Sequence, residues 1–296
     1  MRIWIQKFGG TSLSTAEARS HAIRHVKSAL AEQVRPVVVV SAMGRKGDPY
    51  ATDTLIELIR RNGGEVAARE MDLLLACGEI ISAVTFSAAL RAEGIPSVVF
   101  TGGQAGIVTD DNFGNASIVS LDPQRILECL DRGQVAIVAG FQGMTPDGDV
   151  TTLGRGGSDT TAAALGVALG AEYVDIFTDV EGVLTADPRV VKEARRIASI
   201  SYQEICNLAY NGAKVIHPRA VEIAMQGNVP IRVRSTFAAD EGTLVASVPL
   251  RADRVRDRYV TGIAHVAGLA QIQVSSKGRP FDLQLHVFKA MAEQRI

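Results

Sequence analysis

Short apolar runs alternate with segments whose apolar residues recur every three or four positions, and these two periods divide most of the first 245 residues. Residues 3–6, 96–101, 134–139, 173–178 and 231–234 read as strands, as does the run Val37-Val38-Val39-Val40. That run has no polar alternation, which suits a strand covered on both faces. Residues 14–30, 71–91, 123–132, 160–169 and most of 205–225 read as helices. Ser14 with Glu17 makes a capping-box pattern for the first, whose apolar face carries Ile23, Val26 and Leu30. The alternation predicts an α/β fold, a three-layer sandwich with a largely parallel central sheet and helices on both faces. Ligands in such folds sit at the carboxyl ends of the strands.

The pattern changes near residue 246. Residues 246–259 are polar and mixed in charge and read as a linker. Beyond them, 260–265 and 270–274 read as strands and 280–294 as a helix with Phe281, Leu285, Phe288 and Met291 on one face. This tail of about 37 residues is too small to close a core alone. The exposed face it implies leads to an expectation of dimers or larger assemblies.

The chain has 296 residues, 47% of them hydrophobic, enough for a sizeable core. A formal net charge of −1 argues against nucleic-acid or anionic-membrane partners. The longest apolar stretch, 73–90, is broken by Glu79 and small polar residues and reads as a buried helix and not a membrane span. Cys77, Cys129 and Cys206 form no pair with zinc or disulfide spacing, which fits a reducing cytoplasm. The first residues go straight into a strand, so no signal peptide is expected.

Six segments carry candidate chemistry. Gln6-Lys7-Phe8-Gly9-Gly10-Thr11-Ser12 joins a strand to a helix. Glycines let amides approach an anion, and Lys7 supplies charge where a transferred phosphoryl group develops it. A Gly-Gly turn beside a surface lysine is the plain alternative. In Gly154-Arg155-Gly156-Gly157-Ser158-Asp159, glycines again precede a helix. Arg155 suits a carboxylate or phosphate, and Asp159 an amine or a lysine ammonium. Alternatively Ser158 or Asp159 is simply an N-cap. Ser41 ends the valine strand, and residues 45–53 form a charged loop that reads as a mobile flap. Glu79 on its apolar helix either meets a substrate ammonium or faces solvent or an internal arginine, readings of equal weight. Residues 177–189 leave a strand through turn residues and suit a nucleotide base and ribose, or an ordinary surface excursion. Residues 211–219 bring Lys214, a second lysine for phosphates or a solvated one.

Together these segments resemble the amino-acid kinase family, and within it the aspartokinases. The matches are KFGGTS (7–12), VVVVSAMG (37–44), ACGEIIS (76–82), GRGGSDTTAAALG (154–166), FTDVEGVLTADPR (177–189) and YNGAKVIHPRA (210–220). The loop GRKGDPYATDTL is most similar to the diaminopimelate-sensitive isozyme. The resemblance implies phosphorylation of the L-aspartate side chain by Mg-ATP, giving 4-phospho-L-aspartate. It also implies a catalytic domain over 1–245 and an incomplete ACT regulatory domain over 260–296.

Carried over by residue, the resemblance implies nucleotide contacts from Lys7, Phe8, Gly9, Gly10, Ser41, Thr178, Asp179, Leu184, Thr185, Asp187, Arg189, Lys214 and Val215. It implies substrate contacts from Glu79, Arg155, Gly156, Gly157 and Ser158, with Thr52 as the flap threonine, and catalytic roles for Lys7, Asp159 and Lys214. The metal, Mg²⁺, would be held by phosphates and water. Two alternatives stay open: a family member with another acceptor, and a non-catalytic effector-binding subunit.

Overall fold

The computed structural model describes residues 1–61, 63, 65–213, 215–247, 260–269, 273–275 and 280–293. In chain order its elements begin with β1 (Ile3–Phe8), α1 (Gly10–Leu13), α2 (Ala16–Ala31), β2 (Arg35–Val40), α3 (Thr52–Arg61) and α4 (Ala68–Ala92). Next come β3 (Ser97–Phe100), β4 (Ile107–Thr109), β5 (Ile118–Leu121), α5 (Gln124–Asp131), β6 (Val135–Ala139), β7 (Gln142–Met144) and β8 (Val150–Thr152). Then follow α6 (Gly157–Ala168), β9 (Tyr173–Thr178), β10 (Ser199–Ser201), α7 (Tyr202–Tyr210), α8 (Pro218–Gln226), β11 (Ile231–Ser235), β12 (Thr243–Ala246) and α9 (Pro280–Glu293). They fall into two compact units, Met1–His265 and Val266–Ile296.

In the first unit an eight-stranded sheet runs β10-β12-β11-β9-β1-β2-β6-β3. Every pairing in it is parallel except β11 with β12. Alternate residues of one strand serve opposite faces. Val37, Val39, Ile5 and Val138 join the core under α5, α6 and α8, while Val38, Val40, Phe8 and Ile137 join the core under α2 and α4. The valine run is therefore covered on both sides, as its sequence implied. Lys7 lies on the same face of β1 as Ile5, in register with Val39 and Ile176.

A second sheet, β5-β4-β7-β8, was not foreseen. Its strands are three or four residues long, too short to show a period. It abuts α4 and hands the chain from Thr152 to the glycine-rich segment before α6.

Three local expectations need correction. The N-cap of α2 is Thr15, whose hydroxyl accepts from the Ala18 amide at 3.1 Å; Ser14 has helical dihedrals and closes α1. The helix expected over 205–225 is two helices, because Pro218 has no amide to continue a ladder and instead starts α8. Residues 260–265 are not a strand: the Ile263 amide donates to the Thr185 carbonyl and the Thr261 hydroxyl to Glu204, contacts that replace a ladder. The strand expected over 270–274 lies partly outside the described residues, and 273–274 are irregular.

Helix α4 is long and apolar enough, by length and composition, to cross a membrane, and half of that window is buried inside the protein. It carries Asp72 and Glu79 inward. In the second unit α9 leaves Leu285, Phe288 and Met291 exposed, while the side chain of Phe281 lies outside the described set.

Candidate active site

Parallel strands end at one edge of the sheet, so the residues following β1, β2 and β6 are brought together. There a cavity of about 320 Å³ is lined by Lys7, Gly10, Ser41, Thr52, Glu79 and residues 155–159, with Arg45, Lys46 and Phe141 also on its wall. Residues from five separate sequence segments thus meet in one place.

The Lys7 ammonium sits 2.7 Å from Asp159 Oδ1, with only 13% and 12% of the two side chains exposed. The other Asp159 oxygen accepts the His217 amide at 3.4 Å. Asp159 lies in the first turn of α6, whose N-cap is Gly156 and has no side-chain cap. This settles one alternative: Ser158 and Asp159 are not the cap and both are buried beside the cavity. Gly156 has φ +71°, and a Cβ there would run into the His217 ring. Arg155 beside it is exposed, lines the cavity and makes no ion pair among the described residues.

Gly10 lies so close to the neighbouring loop that a Cβ would be 2.5 Å from the Ala42 carbonyl and 2.6 Å from that of Gly44. The Gly44 amide donates to Gly10 in return, at 3.0 Å. The Gly9 amide is taken by the Phe177 carbonyl at 3.3 Å, and the helix after the motif, α1, has only four residues. Phe8 is fully buried and stacks on Phe177 with ring centres 4.8 Å apart, so its side chain belongs to the core.

Glu79 is 2% exposed. The absence of a Cβ on Gly78 lets α4 press against Ala42, whose amide donates to Glu79 Oε1 at 3.0 Å. Oε2 has no hydrogen-bond partner among the described residues. Burial pushes the carboxyl up to about 8, against the opposing pull of the Ala42 amide. A buried acid with a free oxygen on a cavity wall is a ready partner for a cation.

The nucleotide candidates behave differently. Thr178 and Asp179 follow β9, and Asp179 pairs at 2.5 Å with Arg45 of the flap. Leu184 bridges to Arg196, Thr185 exchanges hydrogen bonds with Arg195, and Arg189 holds Asp187 down to about 2. None of Leu184, Thr185, Asp187, Arg189 and half-buried Val215 lines the cavity. Lys214 lies outside the described residues. Sequence reasoning passed over Arg45, Lys46 and Phe141; the two cations sat in the charged flap loop, a visible signal, whereas Phe141 had none.

No cluster of three metal-ligating side chains occurs among the described residues. The acids on the cavity wall are Asp53, Glu79 and Asp159, the last engaged by Lys7. This donor set fits a cation carried on phosphate oxygens and water.

Comparison with known proteins identifies the family. The model of the amino acid kinase family matches residues 2–235. Aspartokinase 1 of Bacillus subtilis is 54% identical over 299 residues, spanning 100% of this chain and 74% of the relative. The aspartokinase of Thermus thermophilus is 43% identical over 296 residues, with 100% and 71% coverage. Among solved structures, aspartate kinase from Synechocystis superposes with a TM-score of 0.72 at 42% identity, covering 84% of this chain and 40% of that one. Aspartokinase III of E. coli, in complex with aspartate and ADP, gives 0.72 at 31% identity, covering 83% and 65%. The chain thus spans under two thirds of these two solved structures. The chain belongs to the amino acid kinase family, among its aspartokinases.

Proposed function

We propose that the chain transfers the γ-phosphoryl group of Mg-ATP to the side-chain carboxylate of L-aspartate, giving 4-phospho-L-aspartate and ADP. The observation that carries this reading is the convergence of Lys7, Asp159, Glu79 and Arg155 on one cavity. Aspartate and ADP occupy E. coli aspartokinase III, which supports both ligands here.

A carboxylate is already a nucleophile at neutral pH, so no general base is required. Its oxygen bonds to the γ-phosphorus as the bond to the β–γ bridging oxygen breaks, and no proton moves. The obstacle is repulsion between two anions, so positioning and fixed charge dominate. Lys7 takes up charge developing on the phosphoryl oxygens, and Asp159 holds that ammonium in place. Arg155 binds the acceptor's α-carboxylate and Glu79 its ammonium, while Ser158, Gly156 and Gly157 shape the wall between them. Ser41 and Thr52 face the same space. Lys214 and Val215, with Thr178, Asp179, Leu184, Thr185, Asp187 and Arg189, serve the nucleotide. Gly9 and Gly10 let the loop approach phosphates, and Phe8 acts through its backbone alone. Phosphate oxygens and water would hold Mg²⁺ here, and its charge would lower the repulsion between the nucleotide and the acceptor.

The aspartokinase relatives support a cytoplasmic enzyme, and the exposed face of α9 supports a homo-oligomer. A coupled ADP-release assay tests the acceptor. Aspartate should outperform glutamate, acetylglutamate and UMP; a better rate with any of these replaces the assignment, and nucleotide binding without turnover favours an effector-binding subunit.

A further inference from the structure

The glycine-rich segment carrying Arg155 is held by two charged residues that stand outside the cavity. Asp72, on α4, is 1% exposed. It accepts the Thr152 amide at 2.7 Å, the Thr152 hydroxyl at 2.7 Å and the Gly114 amide at 2.9 Å. Arg219, on α8, donates to the Leu153 carbonyl and to the Ala116 carbonyl, each at 2.9 Å. Each side chain therefore grips the same two chain segments, 114–116 and 152–153. These segments are themselves joined by the Ala116 amide to the Thr152 carbonyl at 2.9 Å. Asn115 packs against Gly154, where a Cβ would sit 2.5 Å from its Oδ1.

The two grips come from elements that also present substrate-facing groups. Glu79 follows Asp72 by two turns of α4 on the same buried face. Arg219 follows His217, whose amide reaches Asp159 and whose ring backs Gly156. Arg155 leaves the clamped segment after a single glycine, so its position relative to Glu79 and Asp159 is set by this staple.

We propose that Asp72 and Arg219 are positioning residues for the acceptor: they fix where the Arg155 guanidinium stands opposite Glu79 and act on aspartate binding without touching it. This rests on Arg155 and Glu79 being the amino-acid contacts. Asp72→Asn keeps an oxygen for the two backbone amides and can donate to the Thr152 hydroxyl, so Asp72→Ala is the variant that removes the grip and leaves both amides unpaired. Arg219→Lys keeps one of two donors and loses the planar fork.

The test is steady-state kinetics on the full chain with melting temperature in parallel. Arg219→Met and Asp72→Ala should each raise the aspartate KM by about tenfold while the Mg-ATP KM stays within about twofold, and Asp72→Asn should raise it less. Arg219→Lys should give a smaller rise in the same direction, and it stands in if Arg219→Met does not fold. In an Arg155→Ala background, Arg219→Met should add nothing further to the aspartate KM, because the group it positions is gone. Equal effects on both KM values, or a full additive effect on top of Arg155→Ala, would assign the pair to general stability and overturn the proposal. If Arg155→Ala raises the aspartate KM but Asp72→Ala and Arg219→Met do not, the clamp alone fails. If Arg155→Ala leaves the aspartate KM unchanged, the assignment of Arg155 fails first and the clamp with it.

Discussion

Lys7 Nζ and Asp159 Oδ1 are 2.7 Å apart where β1 meets α6, in a pair whose side chains are only 13% and 12% exposed. The two residues are 152 positions apart in the chain (159 − 7), and the parallel sheet brings them together. A charge pair this enclosed is costly to break from one side, because the remaining charge stays buried without its partner.

Replacing Lys7 with Met, or Asp159 with Asn, should therefore reduce kcat by about 10²–10³-fold, the effect of losing one preorganised charge at the reacting group. The two should differ from their combination in stability. The double variant, with both charges removed, should melt above Lys7→Met alone. Turnover measurement and thermal melts on the three proteins check both parts. Near-normal turnover in Lys7→Met would remove the lysine from the mechanism.

Glu79 gives a pH dependence with a definite sign. Its carboxyl titrates near 8 in the folded protein against 4.5 unperturbed, so the folded chain holds an extra proton between those values. The associated stability is present below about 4.5 and is lost as pH rises through about 8. An ammonium binds only the ionised acid, so aspartate binding should release a proton and strengthen as pH rises from 6 towards 8, by up to about tenfold per unit. Calorimetry in buffers of different ionisation enthalpy counts that proton. Glu79→Gln should bind aspartate weakly and lose the pH slope; a persistent slope would place the titrating group elsewhere.

Gly156 is the hinge of the arginine segment, with a left-handed backbone and the His217 ring where a side chain would go. Gly156→Ala should lower stability by about 1–3 kcal/mol from backbone strain alone and raise the aspartate KM. Chemical denaturation with kinetics on the same sample checks it. If the variant melts like wild type, the turn is not held as described.

The central sheet was readable because β2, β6 and β9 are buried along most of their length and apolar on both faces, β2 with an unbroken run of four valines. The small sheet was not, since β7 and β8 contribute three residues each, and β8 is covered by α4, which no local pattern announces. Glu79 was readable as a conflict, an acid on an apolar helix, but its resolution needed the Ala42 amide from a distant loop. Asp72 and Arg219 carry no local signal of their role; only the pairing of 114–116 with 152–153 shows what they hold. Ser14 misled because two adjacent hydroxyls both precede the helix, and which of them caps depends on dihedrals that α1 imposes.

The two glycines of the phosphate loop have different tolerances despite being adjacent. Gly9 has ordinary extended dihedrals, φ −71° and ψ 169°, and the nearest atoms to an added Cβ are at 3.7 and 3.8 Å. Gly10 faces backbone carbonyls of Ala42 and Gly44 at 2.5 and 2.6 Å, and backbone cannot rotate away as a side chain does. Gly10→Ala must therefore push the loop off residues 41–44, widening the site between Lys7 and Ser41. It should melt lower than wild type by several degrees, consistent with about 1–3 kcal/mol for overpacking, and raise the Mg-ATP KM by about tenfold or more. Gly9→Ala should melt as wild type does, and any rise in its Mg-ATP KM then reports a phosphate passing over that position. Equal melting temperatures for the two variants would mean that the loops are not in contact at Gly10.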